Sequence, residues 1–505
     1  MPPHLLEPRR TDKSMKPNTL YYGDCLEVIK DWPEACVDLI YLDPPFNSNA
    51  NYNILFGNQK AGANGKHDLA QAVAFTDTWE WSEETGRRIK QIKKSLNHRA
   101  HNAVVALDSF YKSGTGMLAY LVYMADRINA LYPLLKDTGS FYLHCDSTAS
   151  HYLKMILDDV FGVKNFRNEI IWCYHGPGSP RMRQFNRKSD AIFWYSKGDV
   201  WTFNRDAVRL PYKDPKQTLR RAMSTTGSFT EDEAEQNRER GKVPENWWEI
   251  RIAARSKKEY LGYPTQKPLA LLERIVAASS NPGDVVLDPF CGCGTTIHAA
   301  INLKRDFAGI DISMYALDVI QKKRLKNMRF AIDGVPAEMS AAADMASKRP
   351  FAFEKWAIHC IPGFVSNNKQ RSDGGVDGWA VLLNTPDGEN GMCIAQVKGG
   401  TPSADAIRAF AGKLSAGYAS VGVFITLRKW DTPTVRKCVE SAGKLKQGAN
   451  EFNRLVMWSV EEHFAGVRPP LPTLADPQTG LEMQADWMVQ EEMSMGYRAS
   501  ESDPS

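Results

Sequence analysis

Apolar residues follow two different spacings along the chain. Continuous apolar runs, each long enough for one strand, occur at residues 38–43, 140–144, 191–195 and 285–288. Such runs are typical of strands that are buried on both faces of a parallel sheet. Elsewhere, apolar residues recur every three or four positions at residues 118–128 and 269–276, which predicts amphipathic helices. The alternation of strands and helices predicts an α/β fold built on a doubly wound sheet.

Length and composition limit the class of protein. A chain of 505 residues is long enough for two or more domains, and 43% hydrophobic with 24% charged residues is a globular composition. The net charge of +4 is too small to identify nucleic acid as a partner. The 9 cysteines form no CxxC pair, which argues against a disulfide framework or a zinc ribbon and favours the cytoplasm. The apolar runs fall short of the ~20 residues that span a bilayer, so we expect no membrane partner.

The pattern divides the chain into a large and a small domain. The first α/β pattern extends over residues 18–330, and its polar segment 197–260 is interpreted as an inserted target-recognition region. A surface excursion with a small local core is the alternative for that segment. Residues 331–349 are rich in Ala, Ser and Met, which predicts a linker. A second α/β pattern occupies residues 350–465, and residues 466–505 are expected to form a loosely ordered tail.

The apolar run at residues 285–288 ends in a candidate ligand-binding turn. A Gly-rich turn at the carboxyl end of a strand lets the backbone approach a ligand, and an acid about twenty residues later accepts hydrogen bonds from ribose hydroxyls. A purely structural role is the alternative for the turn alone, whereas strand, turn, helix, strand and acid together predict a nucleoside ligand. The residues of this pattern are Asp288, Pro289, Phe290, Gly292, Gly294, Thr295 and Asp311.

Several segments resemble motifs of the DNA amino-methyltransferases. Residues 285–296 resemble their S-adenosylmethionine-binding motif, residues 309–311 their ribose-binding acid, and residues 263–268 a further signature. The resemblance covers residues 18–330 and implies a Rossmann-like methyltransferase sheet with S-adenosylmethionine as the cofactor. It places Asp24 beside the donor's adenine and the signature residues at the donor's methionine end. Besides those of the turn, the implied donor-binding residues are Asp24, Thr265, Gln266, Lys267 and Pro268.

A tetrapeptide near the start of the chain resembles the catalytic motif of the same family, (Asp/Asn/Ser)-Pro-Pro-(Tyr/Phe). It consists of Asp43, Pro44, Pro45 and Phe46, and a structural Asp-Pro-Pro turn is the alternative. An exocyclic amine is a poor nucleophile, and acceptors for its two N–H groups favour the geometry from which it attacks. Asp43 and the carbonyl of Pro44 can supply those acceptors. The prolines stiffen the loop, and Phe46 offers a stacking face to a base flipped out of double-stranded DNA.

Motif order and the first residue of the tetrapeptide refine the expected activity. The acceptor motif precedes the donor motif, as in the β group of these enzymes. Asp is commoner at the first position among N6-adenine enzymes and Ser among N4-cytosine enzymes. The resemblance therefore implies a site-specific DNA methyltransferase that acts on adenine N6 in a restriction-modification setting, with cytosine N4 as the alternative. It leaves a homodimer open.

The second domain contains a candidate nuclease site. Asp377, Gln396 and Lys398 lie in or beside predicted strands, and Glu354 lies on a predicted helix. This arrangement resembles the Mrr-like branch of the PD-(D/E)xK nucleases, and it implies Mg²⁺ held by Asp377 and Glu354 beside a lysine that polarises water. The neutral Gln396 leaves open a domain that binds DNA without cutting it. The whole-chain alternatives are a restriction hydrolase whose methylation only protects host DNA, and a catalytically silent DNA-binding protein.

Overall fold

The computed structural model describes residues 14–45, 51–55, 71–76, 79–112, 114–176, 183–212, 239–253, 259–263, 265–326, 328–367, 375–383, 391–475 and 482–483. The strands of these residues are β1 (Thr19–Tyr22), β2 (Val37–Leu42), β3 (Asn51–Leu55), β4 (Gln71–Thr76), β5 (Leu135–Cys145), β6 (Phe166–Cys173), β7 (Ser189–Ser196), β8 (Trp247–Glu249), β9 (Val285–Asp288), β10 (Asp306–Asp311), β11 (Ala331–Asp333), β12 (Val365–Ser366), β13 (Gly378–Leu382), β14 (Gly391–Lys398), β15 (Val421–Thr426), β16 (Lys444–Gln447), β17 (Asn450–Asn453) and β18 (Leu455–Ser459). The α-helices are α1 (Cys25–Ile29), α2 (Glu83–Lys94), α3 (His101–Tyr111), α4 (Gly116–Leu131), α5 (Ser150–Phe161), α6 (Leu269–Ser279), α7 (Thr295–Asn302), α8 (Met314–Val319), α9 (Met339–Lys348), α10 (Pro350–His359), α11 (Ala404–Ser415), α12 (Pro433–Ala442) and α13 (Val460–Phe464).

The large domain is built on a mixed sheet in the order β11-β1-β10-β9-β2-β5-β7-β6-β8. The strands from β11 to β5 are parallel, whereas β7 is antiparallel to β5 and to β6. The parallel part is the Rossmann-like α/β arrangement that the apolar runs predict. Its carboxyl edge is the place where a ligand binds in such sheets.

Successive side chains of β2 enter two different buried clusters, one on each face of the sheet. Leu39 and Tyr41 belong to the cluster that includes residues of α6 and α7. Ile40 and Leu42 belong to the cluster that includes residues of α1, α4 and α5. All four side chains are at most 1% exposed, which explains why the strand reads as a continuous apolar run rather than an alternating one.

The described parts of the polar segment 197–260 pack onto the large domain. Strand β8 extends the sheet beside β6 in parallel. Trp248 of β8 is buried, and the guanidinium of Arg274 lies 5.0 Å from the centre of its ring. Residues 213–238 and 254–258, which belong to the predicted recognition region, lie outside the described residues.

Residues 331–349, expected as a linker, contain regular structure. Strand β11 pairs with β1, and α9 follows it. Ala342 and Met345 lie one helical turn apart on α9 and are buried in the cluster that also contains core residues of both domains. The apolar face of this segment consists of small side chains and is therefore not visible as a hydrophobic pattern in the sequence. Alanine buries little area yet allows close packing.

The small domain has a five-stranded sheet in the order β12-β13-β14-β15-β18, in which β14, β15 and β18 are parallel. Helices α11 and α12 supply apolar residues to its core. The described part of the expected tail also joins this domain, since the amide of Ala475 donates to the carbonyl of Val381 at 2.9 Å. In the part of the chain that the structure describes, no helix combines the length and apolar character needed to cross a membrane.

Candidate active site

The carboxyl ends of neighbouring parallel strands bring the predicted donor and acceptor motifs together. Tyr22 at the end of β1 pairs with Asp311 at the end of β10, and Gly309 of β10 pairs with Asp288 at the end of β9. Strand β2 lies on the other side of β9, and Asp43 follows it. Motifs that are distant in sequence therefore line one continuous edge of the sheet.

The Gly-rich turn after β9 is folded against Asp311. The amide of Gly292 donates to Oδ2 of Asp311 at 2.8 Å, and the amide of Ser313 donates to Oδ1 at 2.8 Å. Gly294 has a φ of 73°, and a β-carbon there would lie only 2.8 Å from Cγ1 of Ile320. Glycine is required at this position because any side chain would be strained and would clash.

Burial raises the pKa of the two acids at the strand ends. Enclosure by protein raises the pKa of Asp288 to about 7, although hydrogen bonds from Thr296 and from the Phe290 amide oppose the rise. Burial likewise raises the pKa of Asp311 to about 6, against the hydrogen bonds from Ser313 and Gly292. Asp288 is 2% exposed at the start of the Gly-rich turn, whereas Asp311 is half-buried at the carboxyl edge of the sheet.

Asp24 lies at the same edge and begins α1. Its carboxylate accepts from the Leu26 amide at 2.9 Å and also pairs with the buried guanidinium of Arg127. The preceding Gly23 donates its amide to the carbonyl of Asp311 at 3.0 Å. Asp24 and Asp311 are thus held next to each other, as a shared donor site requires.

The signature 263–268 divides into residues with different surroundings. Gln266 fastens the preceding loop, because its Nε2 donates to the carbonyl of Glu259 at 2.8 Å and its Oε1 accepts from the Leu261 amide at 2.9 Å. Thr265 adopts a left-handed φ of 63°. Pro268 precedes α6, and Thr295 donates its hydroxyl to the carbonyl of Lys267 at 3.2 Å. These contacts tie the signature to the Gly-rich turn.

Lys267 forms an ion pair with Asp43 that sequence reasoning missed. Its Nζ lies 2.8 Å from Oδ1 and 2.7 Å from Oδ2 of Asp43. The two side chains are only 10% and 18% exposed. The structure thus places Lys267 against the first residue of the tetrapeptide, although the resemblance assigns it to the donor's methionine end. The sequence carries no signal for this pair, because the two residues lie 224 positions apart.

A series of buried, hydrogen-bonded polar side chains lies beside this ion pair. The hydroxyl of Tyr41 lies 2.7 Å from Nδ1 of His144, and Nε2 of His144 lies 3.1 Å from Oδ2 of Asp190. Tyr174 donates its hydroxyl to Oδ1 of Asp190 at 3.2 Å. Burial alone would raise the pKa of Asp190, but the hydrogen bond and charge of His144, together with the charge of Lys267, lower it. These hydrogen bonds hold strands β2, β5 and β7 together at the end of the sheet where Asp43 lies.

Two further residues of the tetrapeptide lie within the described part of the chain. Pro44 is buried and Pro45 is half-buried next to Asp43, so the loop has a fixed start. Phe46, the predicted stacking residue, lies outside the described residues. Pro289 and Phe290 follow β9, and the ring of Phe290 lies 6.4 Å from that of Tyr123.

Three of the predicted nuclease residues, Asp377, Gln396 and Lys398, lie at one end of the small sheet. The amide of Asp377 donates to the carbonyl of Ala395 at 2.8 Å, and its Oδ2 accepts from the Val397 amide at 2.7 Å. Gln396 and Lys398 lie two residues apart on β14 and so share one face of the sheet. Glu354 lies on α10. Among the described residues, no three His, Cys, Asp or Glu side chains converge as metal ligands, and the expected Mg²⁺ site has only the two acids Asp377 and Glu354.

The chain is similar to several known proteins over part of its length. It is 30% identical over 251 residues to the type II methyltransferase M.HpaI of Haemophilus parainfluenzae, covering 50% of this chain and 73% of that protein. It is 28% identical over 308 residues to the DNA adenine methyltransferase YhdJ of Escherichia coli, covering 61% and 82%. The type II methyltransferase M.EcaI of Enterobacter cloacae is 29% identical, and the match covers 66% of its length.

Solved structures that match part of the chain include the cytosine-N4-specific PvuII DNA methyltransferase, at 16% identity and a TM-score of 0.38, covering 62% of this chain and 89% of that one. The M1.HpyAVI–SAM complex matches at 20% identity and a TM-score of 0.32, covering 60% and 98%. The model of the N6 and N4 DNA methylase family matches residues 37–322, more than half of the chain. The protein therefore belongs to this family of DNA methyltransferases.

Proposed function

We propose that this methyltransferase transfers a methyl group to the N6 amine of adenine in double-stranded DNA. The observation that carries the proposal is the Asp43 carboxylate, held by Lys267 at the sheet edge that also holds the donor motifs. Oδ1 or Oδ2 of Asp43 and the Pro44 carbonyl accept the two amine N–H groups. As the nitrogen–carbon bond forms and the sulfur–carbon bond breaks, the amine gives up one proton, for which Asp43 is the nearest acceptor in this arrangement.

The donor site fits a nucleoside with a charged tail. S-adenosylmethionine, when bound, supplies the methyl group as an electrophile on its sulfonium sulfur. The turn is tight because Gly292 and Gly294 adopt φ of 48° and 73°, and a backbone without side chains there lets a ligand approach closely. Each oxygen of the Asp311 carboxylate accepts one backbone amide and can accept a further hydrogen bond, which in our proposal comes from a ribose hydroxyl.

The loop between β6 and β7 supports an approach of DNA from the same side. It leads into Asp190, which contacts His144 at the end of β5. Phe185 in this loop is 98% exposed, and Arg183 and Arg187 beside it are exposed as well. Cations around an exposed aromatic ring suit phosphate contacts next to a base that has left the stack.

Adenine is preferred over cytosine on two grounds. The tetrapeptide begins with Asp43, and the relative YhdJ is named a DNA adenine methyltransferase. The names of M.HpaI and M.EcaI as type II methyltransferases support a restriction-modification setting. We expect DNA incubated with the protein and isotope-labelled S-adenosylmethionine to contain labelled N6-methyladenine in nucleoside mass spectrometry. Label found only in N4-methylcytosine would replace the proposed acceptor base.

A second proposal concerns the small domain, which we infer to be an Mrr-like nuclease domain. It is supported by the placement of Asp377, Gln396 and Lys398 at one end of adjacent strands. No catalytic step is assigned to a metal ion, because no group of three His, Cys, Asp or Glu side chains is placed to hold one among the described residues. The domain would restrict DNA that the large domain has not methylated.

Cleavage and its dependence on Lys398 are measurable separately from methylation. Unmethylated DNA carrying the methylation site is incubated with donor-free protein in Mg²⁺ or Mn²⁺, and strand breaks are read on denaturing gels. We expect breaks with the unaltered protein, their loss in Lys398→Ala, and full methylation by that variant. Lys429→Ala, which alters a 66% exposed lysine of the same domain, is the matched control. Intact DNA in every reaction would reduce the domain to a DNA-holding accessory.

A further inference from the structure

Helix α10 begins the small domain, yet one of its faces lies against the large domain. The hydroxyl of Tyr22 donates to the carbonyl of Ala352 at 3.2 Å. His359 at the other end places its Nε2 3.1 Å from Oδ2 of Asp318 on α8. Ala352, Lys355 and His359 are spaced by three and four residues and therefore form one stripe of the helix. The stripe faces the elements that flank Asp311.

The opposite stripe of α10 belongs to the core of the small domain. Phe353, Trp356 and Ala357 are at most 3% exposed, and their cluster includes Ala395 of β14. A β-carbon on Gly399 would lie 3.2 Å from Cδ1 of Phe353. The helix is therefore held between the two domains, and its position is set by contacts on both sides.

Lys355 is the cation of the stripe that faces the large domain. Its side chain is half-buried, and its Nζ lies 4.6 Å from the centre of the Phe351 ring. Although burial dominates the raised pKa of Asp311, the charge of Lys355 opposes that rise. The contacts of Ala352 and His359 at the two ends of the stripe turn Lys355 toward the sheet edge where Asp311 pairs with Tyr22. Among the described residues, Asp311 also acts on the titratable groups Asp288, Tyr22, Tyr123, Tyr263 and Cys291.

We propose that Lys355, supplied by the small domain, is a positioning residue of the donor site that holds the Asp311 carboxylate as an acceptor for ribose hydroxyls. The inference rests on the proposed role of Asp311 in donor binding. A cation near a half-buried carboxylate favours its ionised form, and an ionised carboxylate accepts stronger hydrogen bonds. The neighbouring acid Asp288 and the phenols around Asp311 provide no such cation.

The arrangement links donor binding to the seating of the small domain. If α10 contributes to donor affinity, the bound donor stabilises the docked position of α10 by the same free energy. Glu354 and Lys355 are adjacent on this helix, so the candidate nuclease domain and the donor site share one structural element. The occupied donor site then favours one placement of the small domain.

Calorimetry with S-adenosylhomocysteine and its 2′-deoxy and 3′-deoxy analogues tests the proposal on the full chain. For the unaltered protein, loss of a hydroxyl should weaken binding roughly fivefold, as expected for one hydrogen bond. Lys355→Met should bind the parent compound roughly fivefold more weakly and should be nearly indifferent to loss of the hydroxyl. Lys355→Arg should restore both the affinity and the sensitivity. Lys348→Met, at a lysine 72% exposed on α9, is the matched control and should behave as the unaltered protein.

Steady-state kinetics and one further variant separate the outcomes. Lys355→Met should raise the KM for S-adenosylmethionine and leave kcat unchanged. If Lys355→Met remains as sensitive to hydroxyl loss as the unaltered protein, the proposal is overturned, whatever its overall affinity. Asp311→Asn is measured alongside. Unchanged donor affinity in Asp311→Asn would show that the ribose acid lies elsewhere. If Asp311→Asn binds the donor more weakly while Lys355→Met binds it as the unaltered protein does, only the role of Lys355 is rejected.

Discussion

Replacement of Asp43 by alanine is expected to abolish methyl transfer while donor binding survives. Asp43 touches the acceptor amine in the proposed mechanism, and the donor lies against the turn after β9 and Asp311. Without the carboxylate, the amine loses an acceptor for its N–H group and for the proton that it gives up. Removal of a group that acts at the reacting atoms costs on the order of 10²–10⁴ in rate, which brings a slow methyltransferase to background.

Incorporation of labelled methyl groups into DNA measures the rate, and calorimetry with S-adenosylhomocysteine measures the donor site. We expect incorporation to fall to background in Asp43→Ala and the donor affinity to remain within about threefold of normal. Asp405→Ala, at an aspartate 91% exposed on α11, is the control for a general effect of the same substitution. Methylation by Asp43→Ala at the normal rate would remove the tetrapeptide from the catalytic machinery.

The strand, turn and acid that the resemblance assigns to donor binding form a local pattern, so their structure could be predicted from sequence. Asp288, the glycines of the turn and Thr295 lie within residues 288–295, and Asp311 follows at the end of the next strand. Each element of such a pattern is dictated by short-range geometry: the strand, the tight turn and the helix. The same locality explains why the bounds of β9 agree with the apolar run at residues 285–288.

The parts that could not be predicted depend on contacts between distant segments. Lys267 meets Asp43 only because β2 and β9 are neighbours, and the order of strands is not encoded in any one run. His144 reads as the end of an apolar strand, yet it is completely buried between Tyr41 and Asp190. The signal for these contacts in the sequence is that a histidine in a buried strand needs polar partners.

Domain boundaries were obscured for a related reason. The segment 331–349 has few large apolar residues, so its pattern suggested a linker. In the structure β11 gains its partner from β1, and α9 packs beside α10 and α13. The apolar cluster that includes Leu20, Val286 and Phe353 is continuous between the two domains. An interface of this kind couples the two domains more tightly than a flexible connection would.

Lys267→Met is expected to lower kcat about a hundredfold and to leave donor affinity nearly unchanged. The ammonium group contacts both oxygens of Asp43, and both side chains are largely buried. Methionine fills similar space but leaves the carboxylate without its partner, and an unpaired carboxylate at such a site turns toward other donors or water. A displacement of about 1 Å at a reacting group is enough for a loss of that size.

The conservative variant and the kinetic split distinguish this positioning role from a role in donor binding. Lys267→Arg retains a cation that can contact both carboxylate oxygens, and it should recover at least part of the lost kcat. Gln266→Met, at the neighbouring residue that fastens the loop 259–261, reports the effect of loosening the signature itself. If Lys267→Met instead raised the KM for S-adenosylmethionine at a normal kcat, Lys267 would belong to the donor's methionine end. In that case the ion pair with Asp43 would describe only the protein before its substrates bind.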